Sequence, residues 1–167
     1  MKLFLKIWRQ KNPESEGKII NYEIDGITED MSLLEMMDVL NEKIMHDGGD
    51  PVAFDHDCRE GICGSCSMNV DGTNTLACLK SIEDVKGSVN IYPLPHMPVI
   101  KDLVPDLTDA YKQLTSIKPW LQTENKPKEG SERHQSPKER EKLDGLWECV
   151  LCFCLLYTSD AADELLC

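Results

Sequence analysis

The sequence contains no long hydrophobic run. A helix that spans a bilayer needs a predominantly apolar segment of about 18 residues or more, and no window of this chain approaches that composition. The start of the chain also lacks the pattern of a secretory leader, because Met1–Leu5 is followed at once by Lys6. We therefore expect no membrane-spanning segment, and a chain that either is soluble or reaches a membrane through partner proteins.

Basic residues are scarce as well. Lys and Arg number 18 against 30 Asp and Glu, which gives a formal net charge of −12 at pH 7. Contacts with phosphate groups require clustered basic side chains, so this composition argues against a nucleic-acid-binding surface. We expect most of the carboxylates to lie on a solvated surface, where their charge aids solubility.

Cysteine, in contrast, is abundant, with eight residues in the chain. In a protein without a secretory leader, such thiols indicate metal or redox chemistry more than disulfide bonds. They fall into a first group of Cys58, Cys63, Cys66 and Cys78, a second group of Cys149, Cys152 and Cys154, and an isolated Cys167.

The first group has the spacing C-x4-C-x2-C-x11-C. This is the ligand spacing of a plant-type 2Fe-2S cluster, in which four thiolates hold two irons. Gly61 and Gly64 lie between the ligands and support this interpretation, because glycine permits positive φ and a close approach of backbone to a bound group. The N–H groups of such a loop can point at the anionic sulfurs.

Two other interpretations of the first group stay open, structural zinc and disulfide bonds. Zinc usually takes its cysteines from two short knuckles that are well separated in sequence, whereas here the x4 and x2 spacings share Cys63. Disulfides are disfavoured by the absence of a leader. The iron-sulfur cluster is therefore the favoured interpretation.

Hydrophobic periodicity predicts the elements before the cysteine loop. Alternation predicts two strands, Lys2–Trp8 and Lys18–Ile24, that pair as an antiparallel hairpin. Ser32 followed by Glu35 is a capping-box signature, and the apolar spacing after it predicts a helix over Leu33–Met45.

A short strand, Val52–Phe54, is predicted to lead into the cysteine loop. The loop is followed by a predicted hairpin of Ser67–Val70 and Thr75–Cys78, with Asp71–Gly72 as a type I′ turn. This hairpin would bring the fourth cysteine back to the other three. A last strand is predicted at Val89–Tyr92.

After the last strand the pattern becomes helical over Ile100–Leu121 and then polar over Gln122–Lys142, with a helical start near Ser136. Strands, one helix and a cysteine loop together predict an α+β fold of the ferredoxin kind. Each of His56 and His96 stands alone in its segment, so we assign neither as a ligand.

With these motifs in order, the chain resembles the iron-sulfur subunit of succinate dehydrogenase and fumarate reductase. The resemblance covers about residues 1–153 and is specific because several motifs occur together. The matching segments are Cys58–Cys66, Asn74–Cys78, Ile91–Met97, Val99–Asp106, Lys118–Leu121 and Glu148–Cys152.

The resemblance implies a β-grasp domain over residues 1–99 whose 2Fe-2S cluster is held by Cys58, Cys63, Cys66 and Cys78. It implies a helical connector and polar linker over 100–142, and at 143–153 the start of an incomplete, all-α 4Fe-4S domain. Full-length members also carry 4Fe-4S and 3Fe-4S clusters.

Cys149 and Cys152 match the first two ligands of the 4Fe-4S site in that family. The third is expected at position 155, where this chain has Leu155, and Cys154 matches a neighbouring cysteine that is not a ligand. The stretch from Cys154 to Glu164 resembles translated adapter sequence, so we expect residues 154–167 to be a non-native tail.

The resemblance further implies a subunit of an oxidoreductase complex, with no acid, base or nucleophile of its own. It implies a flavoprotein subunit that contains FAD, membrane-anchor subunits and quinone as partners, and a peripheral place on the cytoplasmic face of a bacterial inner membrane. Arg59 and Glu60 of the cysteine loop are candidates for the docking surface. A free 2Fe-2S ferredoxin and a zinc-binding interaction module are the alternative functions.

Overall fold

The computed structural model describes residues 1–85, 87–122 and 127–155. The described residues form two compact units, one made of Met1–Asp106 together with 150–155, the other lying within Leu107–Cys149. The predicted non-native tail lies outside the described residues except for its first two positions. The predicted domain boundaries themselves stay predictions.

The first unit is built on a five-stranded sheet. Its strands are β1 (Leu3–Arg9), β2 (Lys18–Ile24), β3 (Ser67–Val70), β4 (Thr73–Leu76) and β5 (Ser88–Tyr92). The strand order is β2-β1-β5-β3-β4, with β1 and β5 parallel and the other neighbouring pairs antiparallel. This mixed sheet with one packed helix is a β-grasp, as the resemblance implied.

The first hairpin and the helix follow the predicted pattern. Strands β1 and β2 pair from Leu3 opposite Ile24, so that alternate residues of β1 point into the core. Helix α1 (Leu33–His46) starts with a capping box in which Ser32 and Glu35 satisfy each other's backbone N–H groups. Its apolar face supplies five of the buried core residues, namely Leu33, Leu34, Met36, Met37 and Leu40.

The hairpin of β3 and β4 confirms the predicted turn but begins its second strand earlier. Asp71 and Gly72 both have positive φ, 50° and 87°, as a type I′ turn requires. A two-residue turn makes Val70 pair with Thr73, so β4 ends at Leu76. The strand predicted over Thr75–Cys78 was therefore placed too late, and Cys78 lies just beyond the strand.

Two other predictions of regular structure were wrong. Val52–Phe54 forms no strand, because its backbone is bonded by the side chains of Asn41 and Asp102 and by the N–H of Leu103, which lies in a turn, and not by a neighbouring strand. The helical pattern over Ile100–Leu121 contains a small hairpin of β6 (Val99–Lys101) and β7 (Val104–Pro105) before helix α2 (Thr108–Ser116) begins. Asp102, with φ of 49°, makes the turn of that hairpin and prevents a continuous helix.

Short helical segments complete the structure. A 3-10 turn at Ile82–Asp84 was not predicted, and helix α3 (Pro137–Glu141) begins after Ser136, as expected from the sequence. Over the described ranges, none of the helices has the length and apolar character needed to cross a bilayer.

Candidate metal centre

Three of the four predicted ligands lie on the irregular loop between α1 and β3, and the fourth follows β4. Cys66 directly precedes β3, and the N–H of Ala77 donates to its carbonyl at 3.1 Å, so the hairpin holds Cys78 next to it. Cys66 is buried, and Cys58, Cys63 and Cys78 are partly exposed. The hairpin thus returns the fourth thiol to the loop, as predicted.

The four thiols form two neighbouring pairs. The thiol of Cys63 interacts with that of Cys58, and the thiol of Cys66 interacts with that of Cys78. Among the described residues, no three His, Cys, Asp or Glu side chains converge as a set that could hold a single metal ion. Two pairs of thiols are compatible with two irons, each held by two thiolates.

The backbone of the loop donates hydrogen bonds to sulfur. The N–H groups of Glu60, Ile62 and Cys63 point at Sγ of Cys58, at distances of 3.4, 3.3 and 3.3 Å. Donors of this kind stabilise an anionic thiolate, and they also tune a cluster when its sulfurs bind iron. The loop therefore fits an anionic, sulfur-rich group.

The two thiols with shifted pKa values have opposite environments. A hydrogen bond from the Ser65 side chain, followed by bonds that involve Cys58, lowers the pKa of Cys63 to about 6. Burial raises the pKa of Cys66 to about 11. At neutral pH the thiol of Cys63 is therefore mostly ionised. The thiol of Cys66 stays protonated unless a metal cation binds its sulfur and displaces the proton.

The segment that enters the cysteine loop is held by two side chains that sequence reasoning missed. Asn41 of α1 accepts from the N–H of Val52 at 2.8 Å and donates to its carbonyl at 2.9 Å. The carboxylate of Asp102 accepts from the N–H of Ala53 at 2.9 Å. The sequence does contain a signal for Asn41. Asn is disfavoured inside a helix unless its side-chain amide has a hydrogen-bond partner, and Asn41 lies inside the predicted helix.

Arg59 and Glu60, the candidates for a docking surface, are both exposed. Arg59 has a positive φ of 61°, and its guanidinium contacts the carboxylate of Asp38 on α1 at 2.6 Å. This ion pair ties the loop to the helix, a role that the sequence did not suggest. Docking stays a prediction for both residues.

The second cysteine group is divided between the two units. Cys149 is exposed and ends the second unit, whereas Cys152 packs against the core of the first. Burial, together with the neighbouring Cys152 thiol, raises the pKa of Cys154 to about 12. Leu155, at the position where the resemblance expects a third ligand, is exposed.

Comparison with known proteins shows which family the chain belongs to. Residues 4–112 match the family described as the 2Fe-2S iron-sulfur cluster binding domain. The chain is 47% identical over 148 residues to the succinate dehydrogenase [ubiquinone] iron-sulfur subunit 3, mitochondrial, of Arabidopsis thaliana, which covers 88% of this chain and 47% of that protein. It is 56% identical over 110 residues to the succinate dehydrogenase iron-sulfur subunit of Paracoccus denitrificans, covering 66% of this chain and 42% of that protein.

Among solved structures, the fold is similar to a chain of the Mycobacterium smegmatis Sdh1 complex in the apo form. The TM-score is 0.77 at 22% identity, and the match covers 95% of this chain and 63% of that chain. The chain thus spans less than half the length of the two curated relatives. The resemblance to succinate dehydrogenase iron-sulfur subunits is confirmed, and the chain belongs to the 2Fe-2S iron-sulfur cluster binding domain family.

Proposed function

We propose that this chain holds one 2Fe-2S cluster and relays single electrons as part of the iron-sulfur subunit of a succinate:quinone oxidoreductase. The observation that carries the proposal is the loop itself, with two thiol pairs and three backbone N–H groups directed at one of the sulfurs. The family match over residues 4–112 supports the choice of cluster.

The pairing of the thiols supports a division of the four ligands between the two irons. Cys58 and Cys63 would bind one iron, and Cys66 and Cys78 the other. When bound, the cluster supplies one-electron chemistry. The chain's own contribution is to place the sulfurs, to donate backbone hydrogen bonds to them and to shield the buried thiol of Cys66 from water.

The rest of the electron path belongs to the longer protein and its partners. Both curated relatives are named as iron-sulfur subunits of succinate dehydrogenase, and on that ground we assign to the complete assembly a flavoprotein subunit with FAD, a membrane anchor and quinone. Association with the membrane, at the cytoplasmic face in a bacterial cell, would occur through those partners.

Cys149 and Cys152 are assigned as the first two ligands of a 4Fe-4S cluster in a helical domain. That domain would begin near residue 143. With Leu155 at the third position, these two thiols do not complete a cluster site by themselves, since a 4Fe-4S cluster takes four cysteines.

Anaerobic purification followed by iron, sulfide and zinc analysis and by EPR of the reduced protein tests the proposal. We expect two irons and two sulfides per chain, a one-electron EPR signal, and loss of that signal in Cys58→Ser, Cys63→Ser, Cys66→Ser and Cys78→Ser. Cys149→Ser is the matched control, because that thiol is exposed and outside the first group.

One zinc per chain, with no iron and no EPR signal, would reject the proposal and indicate a zinc-binding module. Binding of the holoprotein to a flavoprotein that oxidises succinate separates the subunit from a free ferredoxin. We expect a complex that survives gel filtration, whereas efficient electron exchange with unrelated reductases and no stable complex would indicate a free carrier.

A further inference from the structure

Gly64 lies where another part of the chain leaves no room for a side chain. A β-carbon added at this buried position would be 2.1 Å from the carbonyl oxygen of Val150 and 3.6 Å from the backbone nitrogen of Cys152. The nearer distance is far below any contact that a real β-carbon makes, and the obstacle is backbone. Only glycine therefore allows the segment of Val150 to lie against the cysteine loop.

A second contact holds the same segment three residues later. The amide of Asn74, in strand β4, donates to the carbonyl oxygen of Phe153 at 3.1 Å. Asn74 is buried, and its oxygen accepts a hydrogen bond of 2.8 Å from the amide of Asn69, so the orientation of its donor is fixed. A buried amide with both ends bonded is costly to disturb.

Two side chains of this segment face the core, whereas Leu151 between them is 39% exposed. Val150 and Cys152 are partly buried and pack against the hydrophobic core of the first unit. The segment is thus held by close backbone approach at Val150, by a partly buried hydrogen bond at Phe153 and by packing of the Val150 and Cys152 side chains against the core.

We propose that Gly64 and Asn74 form a seat for Val150–Phe153, and that this seat fixes Cys152 against the loop of the first cysteine group. Both are positioning residues, and the inference rests on the proposed function, in which Cys152 belongs to the next relay site. Gly64 lies between Cys63 and Cys66. The loop that carries the first cysteine group therefore also positions the segment that carries Cys152.

The test measures alkylation of Cys152 by iodoacetamide, followed by peptide mass spectrometry, together with the EPR signal of the reduced, iron-loaded chain. In Gly64→Ala we expect the alkylation rate of Cys152 to rise by about fivefold or more, because release of the segment opens it to solvent. Asn74→Asp keeps the acceptor for Asn69 and removes the donor to Phe153, so it should raise the rate similarly while the EPR signal is retained.

Two glycines provide matched controls. Gly61 shares the cysteine loop and a positive φ, 73° against 76° for Gly64, but its added β-carbon would meet the flexible side chain of Leu79. Gly72 has a φ of 87° and nothing within 4 Å. Gly61→Ala and Gly72→Ala should therefore leave the labelling of Cys152 unchanged.

The proposal is overturned if Cys152 is labelled at the wild-type rate in both seat variants, or if Gly61→Ala raises the rate as much as Gly64→Ala does. The second result would show that strain in the loop, and not the contact with Val150, governs access. Labelling is measured on the iron-free chain as well. If the unaltered protein fails to bind iron, the proposed function is rejected, and the labelling rates of the iron-free variants still decide whether the seat exists.

Discussion

The guanidinium Nε of Arg9 donates a hydrogen bond to Oδ1 of Asp102 at 3.0 Å, and this contact joins the end of β1 to the turn between β6 and β7. The side chain of Asp102 is 2% exposed and that of Arg9 14% exposed, so the pair is shielded from water. Asp102 also accepts from the N–H groups of Gln10 and Ala53, both at 2.9 Å. One carboxylate therefore links three separate segments of the first unit.

Replacement of Asp102 should be strongly destabilising. Asp102→Ala leaves Nε of Arg9 and the N–H groups of Gln10 and Ala53 without their acceptor, and removal of one partner of a buried ion pair costs about 3–5 kcal/mol of unfolding free energy. Urea or guanidinium denaturation of the purified chain measures this. Asp50→Asn is the control, since that carboxylate is 66% exposed where it contacts Arg9 and Lys101, and we expect a loss of about 1 kcal/mol or less.

Removal of the Asn41 amide should loosen the entry to the cysteine loop. Asn41→Ala deletes both hydrogen bonds to the backbone of Val52, which is itself 3% exposed, and unsatisfied groups of this kind cost about 1–3 kcal/mol each. We expect a lower denaturation midpoint and faster bleaching of the iron-loaded protein by a chelator. Glu42→Ala, at the next and exposed position of α1, should change neither quantity; equal bleaching rates in the two variants would contradict the role of Asn41.

The two capping boxes should differ in their contribution to stability. Ser32→Ala removes the side-chain cap of α1, whose apolar face is buried, and we expect a loss of about 1 kcal/mol. Ser136→Ala removes the same contact from α3, which buries none of its residues, so its effect on the unfolding free energy should be much smaller. Chemical denaturation of both variants measures the two losses of unfolding free energy. Equal losses would contradict the expectation, because they would show that the contribution of the cap does not depend on packing of the helix.

The capping box of α1 should also make stability depend on pH. The backbone N–H of Ser32, followed by its hydroxyl, lowers the pKa of Glu35 from its ordinary value of 4.5. A carboxylate with a lowered pKa in the folded state stabilises that state above the unfolded pKa and loses this contribution as the pH falls through the folded value. The difference in denaturation midpoint between the wild type and Glu35→Gln should therefore be present at neutral pH and disappear well below pH 4.5; a constant difference would contradict it.

Removal of iron should lower the thermal unfolding temperature. A cluster bound only by the folded chain stabilises it through mass action, and here it would tie the loop of Cys58 and Cys63 to the hairpin that carries Cys78. Differential scanning calorimetry before and after chelation measures the shift. Cys149→Ser should show the full shift, whereas Cys66→Ser should start low and respond little; an equal shift in both variants would reject Cys66 as a ligand.

Most of the local structure could be predicted from short stretches of sequence. The hairpin of β1 and β2, the capped helix α1 and the turn at Asp71 and Gly72 follow from alternation, helical spacing and turn chemistry, which involve neighbours in the chain. The cysteine spacing predicts the four candidate ligands in the same way, and they stay a prediction. These signals are local, and the fold agrees with them.

Sequence alone determined the first hairpin, helix α1 and the turn at Asp71 and Gly72, and it predicts the candidate metal site, because those preferences lie in a few adjacent side chains. Only the tertiary structure decided how Val52–Phe54 is held, where the pattern over Ile100–Leu121 breaks into a hairpin, and what lies against Gly64. Each of these outcomes depends on a hydrogen bond or a close contact with a residue distant in the chain, such as Asn41, Asp102 or Val150. No local periodicity contains that information, since the partner meets the segment only after the chain has folded.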